Sequence, residues 1–126
     1  MLTNPLVSII TVTRNRASLI SRCIESVQKQ NYSNYEHIIL DGNSEDNTQD
    51  VVFAYNDPKI KYKKIPTFGH KVQLLAAYEM SSGDYFAFLD DDDEYTIDGL
   101  VKRVSLLNSL PASYGFVYAA MDYYDD

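Results

Sequence analysis

Unbroken apolar runs and helical stripes alternate along this chain. Residues 7–12, "VSIITV", form a β-branched run, the pattern of a buried strand. The polar stretch "TRNRAS" follows it. From Ser18 to about Gln30, apolar residues fall at 19, 20, 23, 24 and 27, one face of a helix. "YSNY" ends that helix, and "EHIIL", 36–40, predicts a second strand. "DGNSEDN" turns into a helix carried on by Val51, Val52 and Tyr55, with Asn43 or Ser44 as the expected cap and Glu45 and Asp46 near its positive end.

"NDP", 56–58, breaks the chain again. "IKYKKI", 60–65, alternates apolar residues with lysines, as an edge strand does. After the loop "PTFG", residues 70–81 place Val72, Leu75, Ala76 and Met80 on one predicted helical face. "SSGD" turns into the strand "YFAFL", 85–89. Beyond the acidic run "DDDDE", Ile97, Leu100, Val101, Val104 and Leu107 mark another helix, and "YGFVYAA", 114–120, reads as a last strand.

The predicted order is β-α-β-α-β-α-β-α-β. Short strands alternating with helices imply an α/β fold, a mostly parallel sheet with helices on both faces. Ligands bind such sheets beyond the carboxyl ends of the strands. Three polar stretches fall there: "TRN" after the first strand, "DGNSED" after the second and "DDDDE" after the fourth. Their shared position predicts one site.

Length and composition narrow the classes. The 126 residues, 45% apolar and 23% charged, suit a single domain with one core. No run of about 18 apolar residues exists to span a membrane, and the start does not read as a signal peptide. The net charge of −7 argues against nucleic acid as a partner, but not against a phosphate ligand, because a metal ion reverses the local sign. Cys23, the only cysteine, sits among Leu19, Ile20, Ile24 and Val27 and reads as a core thiol. His37, inside a strand, reads as structural. No G-x-G-x-x-G follows the first strand and no P-loop pattern is present.

The cluster Asp90 to Asp93 is therefore the main chemical signal. As a solvated loop it would only add charge. At the end of a strand, aimed into a ligand crevice, its oxygens suit Mn²⁺ or Mg²⁺ shared with a diphosphate.

At this point the chain resembles the nucleotide-sugar-binding part of a family 2 glycosyltransferase, with the Rossmann-like GT-A fold of nucleotide-diphospho-sugar transferases. The matching segments are "VSIITVTRNRASLISRCIESVQKQNYSNYEHIILDGNSEDNT" and "SSGDYFAFLDDDDEYTIDGL". The resemblance implies that Thr13, Arg14 and Asn15 approach the nucleoside, and that Asp41 receives a hydrogen bond from the base, typically uracil. It implies that Asp90-Asp91-Asp92 is the aspartate-any-aspartate motif. Asp92 is then the main metal ligand, with Asp90 and Asp91 contacting ribose, sugar or metal; four successive aspartates leave the register open by one residue. Arg14 stands where the family usually has tyrosine. The usual alanine-arginine-asparagine pattern before the fourth strand is missing, so Lys71 or His70 is the candidate phosphate contact.

The expected activity is metal-dependent, inverting transfer of a sugar from a nucleotide-diphosphate sugar, with UDP expected, to an acceptor hydroxyl on a carbohydrate, lipid or protein. The expected location is the cytoplasm or the cytoplasmic face of a membrane. Family members continue into an acceptor-binding half with a catalytic carboxylate, whereas this chain stops at Asp126. The expectation assigns donor and metal binding to residues 1–126 and the general base to a position outside them, with Asp122, Asp125 and Asp126 as the acidic residues left near the terminus. Two rivals remain: a non-catalytic nucleotide-sugar-binding or interaction module, and a nucleotidyltransferase, whose glycine-rich basic first loop "TRNRAS" does not supply.

Overall fold

A computed structural model describes residues 3–67 and 69–123. The elements are β1 (Val7–Thr13), α1 (Ile20–Gln28), β2 (Tyr35–Asp41), α2 (Thr48–Ala54), β3 (Ile60–Lys64), α3 (His70–Met80), β4 (Tyr85–Phe88) and α4 (Gly99–Ser109). The four strands form a parallel sheet in the order β3-β2-β1-β4. Lysine-rich β3 lies at an edge, as its alternation predicts. The central strands β1 and β2 are buried almost throughout, which is why their sequences are apolar on both faces.

The pleat divides the core in two. On one face Val7 and Ile9 pack against Cys23 and Val27 of α1 and Leu100 and Val104 of α4, while Ile39 packs against Ile20 and Ile24 of α1 and Val52 of α2. On the other face Ile10, Ile38 and Leu40 pack against Ala77 of α3. Three helices thus cover one face and α3 covers the other. Phe86 and Phe88 of β4 lie on the thinly covered face and stay exposed, with Phe86 against the Tyr78 ring at 5.3 Å.

Gly83 sets β4 beside β1. A Cβ there would lie 2.6 Å from both the backbone nitrogen and the hydroxyl of Ser8, so only glycine allows this approach. Its N–H donates to Ser8 Oγ at 2.9 Å, and the Asp84 N–H donates to the Leu6 carbonyl at 2.8 Å.

Three expectations change. Residues 114–120 form no strand, and Tyr114, Phe116 and Tyr118 are exposed; alternation makes a strand only where a paired edge receives it. Helix α3 is turned from its expected face: Val72 and Leu75 are exposed, while Gln73 and Ala77 are buried. Two backbone carbonyls receive the Gln73 amide nitrogen inside, while its Oε1 is buried with no hydrogen-bond partner among the described residues. Helix α2 begins later than expected, with Asn47 before it and neither Asn43 nor Ser44 capping it.

Candidate functional site at the strand ends

The loops after β1 and β2 are laced together. Asn15 and Asn43 both adopt left-handed backbone, at φ 53° and 65°, a conformation asparagine tolerates well. The Asn15 N–H donates to Ser44 Oγ at 2.8 Å, and the Glu45 N–H donates back to Asn15 Oδ1 at 2.8 Å. The Arg16 N–H donates to Thr48 Oγ1 at 3.1 Å and the Ala17 N–H to Asp46 Oδ2 at 3.1 Å. The Gly42 N–H reaches the Thr13 carbonyl at 2.8 Å. Asp46 also receives the Thr48 hydroxyl and N–H, and these bonds, the hydroxyl first, hold its carboxyl below the usual range.

Asp41 lies at the floor of this structure and is fully buried. Its Oδ1 accepts the Ser44 N–H at 2.6 Å, and its Oδ2 accepts the Tyr62 hydroxyl at 2.5 Å. Burial, and then this carboxylate, push the Tyr62 phenol far up. Gln73 closes the floor from the α3 side, its Nε2 donating to the Leu40 carbonyl at 3.0 Å and to the Thr13 carbonyl at 3.2 Å.

The third stretch is a tight turn after β4. The Asp93 N–H donates to the Asp90 carbonyl at 3.1 Å. Asp91 takes the inward position and is 8% exposed, with a carboxyl oxygen 3.9 Å from Arg16 Nε. Burial raises its pKa, and the Thr13 hydroxyl and Arg16 pull it back. Asp90, Asp92 and Asp93 are exposed, each offering one oxygen within 4.8 Å of the others. Partial desolvation, then Asp92 and Asp90, raise the pKa of Asp93. Glu94 points away to Arg22, 3.1 Å distant.

Thr13, Arg14 and Asn15 therefore sit in one laced loop, Asp41 lies beneath it, and the acidic turn abuts it through Asp91. Asp90 and Asp92 come together, and Asp93 joins them. His70, at the start of α3, lines a dent of about 230 Å³ with Ile10, Val12, Leu74, Phe88 and Asp90. Lys71 is exposed on the same helical turn. Asp122 is exposed in the chain after α4, and Asp125 and Asp126 lie outside the described residues. Sequence reasoning missed Arg16, Ser44, Tyr62 and Gln73 as parts of the site, and it left open the place of Asp93 within the acidic run. Ser44 and Arg16 were findable, because both stand in the two polar loops already singled out.

Three hard oxygen donors so close together fit a divalent cation such as Mn²⁺ or Mg²⁺, which accepts one or two carboxylates and completes its shell with phosphate and water. Among the described residues no helix is long and apolar enough to cross a membrane.

Comparison with known proteins gives this geometry a context. The model of glycosyl transferase family 2 matches residues 8–125. The Escherichia coli protein UDP-Glc:alpha-D-GlcNAc-diphosphoundecaprenol beta-1,3-glucosyltransferase WfgD is 36% identical over 117 residues, 87% of this chain and 45% of that protein. The GalNAc(5)-diNAcBac-PP-undecaprenol beta-1,3-glucosyltransferase of Campylobacter jejuni is 39% identical over 98 residues, 71% of this chain and 30% of its own length. The mannosyltransferase PcManGT from Pyrobaculum calidifontis, in complex with GDP-Man and Mn²⁺, matches with a TM-score of 0.76 at 25% identity, over 82% of this chain and 32% of that one. The chain spans less than half the length of these curated relatives. The fold is that of the GT-A glycosyltransferases.

Proposed function

Because the chain belongs to glycosyl transferase family 2, we propose that it holds the nucleotide-diphosphate sugar of an inverting sugar transfer to an acceptor hydroxyl. The observation that carries this reading is the meeting of three loops at one end of the sheet, with three exposed carboxylate oxygens within 4.8 Å of one another beside them. The nucleoside lies against the Thr13–Asn15 loop, above Asp41. The diphosphate lies toward the acidic turn, where Asp92 and Asp90, with Asp93, hold Mn²⁺ or Mg²⁺. The chemistry that such a bound cation supplies is neutralisation of charge on the leaving diphosphate.

The chain's own residues supply the frame. Asn15 and Ser44 hold the two nucleoside loops in register, so little ordering remains to be done when donor binds. Asp41, fully buried, keeps Ser44 and Tyr62 in place and so supports from beneath the loop on which the base rests. His70, beside Asp90, and Lys71 on the same turn are the candidate phosphate contacts.

UDP is the proposed nucleotide. WfgD carries UDP-Glc in its name, whereas PcManGT was solved with GDP-Man, so the two bases are the informative pair to compare. Both glucosyltransferase relatives are named for undecaprenol-linked acceptors. A lipid-linked saccharide at the cytoplasmic face of a membrane is the corresponding acceptor proposal here. The general base that takes the acceptor proton is assigned to no residue of this chain.

Calorimetric titration of UDP and GDP, each with Mn²⁺ and with chelator, tests the proposal. Tighter binding of UDP with Mn²⁺ supports it. Equal UDP affinity with and without metal would overturn the metal arrangement, and preference for GDP would overturn the base.

A further inference from the structure

One buried polar group is used by neither the donor loops nor the acidic oxygens. His37 of β2 is 1% exposed, Thr11 of β1 is fully buried, and they meet at 2.9 Å between His37 Nε2 and Thr11 Oγ1. The Thr11 hydroxyl donates to the Leu89 carbonyl at 2.8 Å. Leu89 is the residue before Asp90. The register between β1 and β4 ends at Ile10↔Phe88, with the Leu89 N–H donating to the Ile10 carbonyl at 3.1 Å. The Thr11 hydroxyl therefore grips β4 one peptide further on, where the chain leaves the sheet for the acidic turn.

The polarity of the group follows from counting protons. A hydroxyl has one proton, and the Leu89 carbonyl takes it. Thr11 Oγ1 must then accept from His37, which puts the imidazole proton on Nε2. Burial pushes His37 down to about 4, so the ring is neutral with a single N–H. Its Nδ1 has no partner among the described residues, consistent with a bare acceptor there. The Cys23 thiol stands 3.6 Å from the same oxygen and, pushed up to about 12 chiefly by burial, is a protonated donor. Two donors thus point into Thr11, and Thr11 points into Leu89.

We propose that Thr11 and His37 are positioning residues for the acidic turn, acting through the Leu89 carbonyl to hold Asp90–Asp93 where three oxygens converge. The effect on metal binding rests on the preceding reading of that turn. The grip on the turn does not. Valine at position 11 keeps the shape of threonine and removes the hydroxyl, leaving the Leu89 carbonyl and the His37 N–H without their partner. Serine restores the hydroxyl.

The experiment compares wild type, Thr11→Val and Thr11→Ser by amide hydrogen exchange without metal and by Mn²⁺ binding followed by electron paramagnetic resonance. Thr11→Val is expected to speed exchange at Leu89 and Asp93 at least tenfold, while Ile38–Leu40 stay protected, and to weaken Mn²⁺ binding about tenfold. Thr11→Ser is expected to stay within about twofold of wild type in both. Unchanged exchange at Asp93 in Thr11→Val, or failure of serine to restore it, overturns the proposal. Absence of Mn²⁺ binding by wild type overturns the metal reading, and the exchange result still decides the relay. If the valine variant does not fold, the wild-type imidazole ¹⁵N shifts decide: the Nε2–H tautomer supports the relay, and the Nδ1–H tautomer overturns it.

Discussion

Two strands of the same sheet end in aspartates that live in opposite conditions. At the end of β2, Asp41 is fully buried, and both of its oxygens already receive hydrogen bonds, from the Ser44 N–H and the Tyr62 hydroxyl. At the end of β4, Asp90, Asp92 and Asp93 are exposed and crowd their oxygens together. The first carboxylate organises protein. The second group is left under mutual repulsion that a cation would relieve. One sheet end thus combines a finished floor with an unfinished wall, a physical separation between shaping a site and binding within it. Removing charge should therefore cost stability at β2 and ligand affinity at β4.

The largest effect is expected from Asp41→Ala. It strands the Ser44 N–H and the Tyr62 hydroxyl, each worth about 1–3 kcal/mol when left unsatisfied in a buried place, so a loss of about 4 kcal/mol is expected. Urea unfolding measures it. The uridine preference over adenosine should fall as well, because the loop above the floor loses its anchor. A variant as stable as wild type would dissolve the distinction between the two strand ends.

Asp92→Asn should do the reverse. Stability without metal should hold or rise slightly, since one of three crowded charges is gone. Metal-dependent UDP binding should weaken by about 2–3 kcal/mol, the scale of a charge-assisted contact. Paired calorimetry and denaturation on the same sample would check both halves. Loss of stability without loss of affinity would place Asp92 with the floor.

Acid should pull the two regions apart. His37, beneath the floor, has its pKa pushed down by burial to about 4 from an ordinary 6.5. The unfolded chain therefore takes up a proton that the folded chain refuses, and stability falls as pH drops through the window from about 6.5 to 4. Between pH 7 and 5 this amounts to about 2 kcal/mol. Asp91 and Asp93 are shifted upward, so the folded turn binds protons more readily than the unfolded chain and offsets part of that loss. Denaturation midpoints from pH 7 to 5 should slope downward in wild type and flatten in His37→Gln. An equal slope in both would remove His37 as the cause.

Much of this was readable from residues alone. The β-branched runs of β1 and β2, the lysines of β3 and the polar stretches after each strand predicted the sheet and the end at which its site lies. The orientation of α3 was not readable, because apolar spacing favours Val72 and Leu75, and the two carbonyls that receive Gln73 come from β1 and β2, far away in sequence. The strand expected at 114–120 had the right alternation, but pairing is a property of an edge and its partner, which alternation does not encode. Four identical aspartates gave no clue that Asp91 turns inward; the turn and Arg16 decide that.

The smallest effect is expected at Glu94, and it tests how sharply the wall ends. Glu94 continues the acidic run in sequence, so composition alone would group it with Asp90–Asp93. The structure instead turns it toward Arg22 of α1, at 3.1 Å, with both side chains about half exposed. Such a pair contributes about 0.2–1 kcal/mol, less in salt. Glu94→Gln should therefore move the denaturation midpoint only slightly and change Mn²⁺-dependent UDP affinity less than twofold. Raising ionic strength should shrink even that stability difference, because exposed charges are screened first. If Glu94→Gln weakened metal-dependent binding more than Asp92→Asn, the cation would sit one residue or more further along the run, and the convergence of Asp90, Asp92 and Asp93 would not be the binding arrangement.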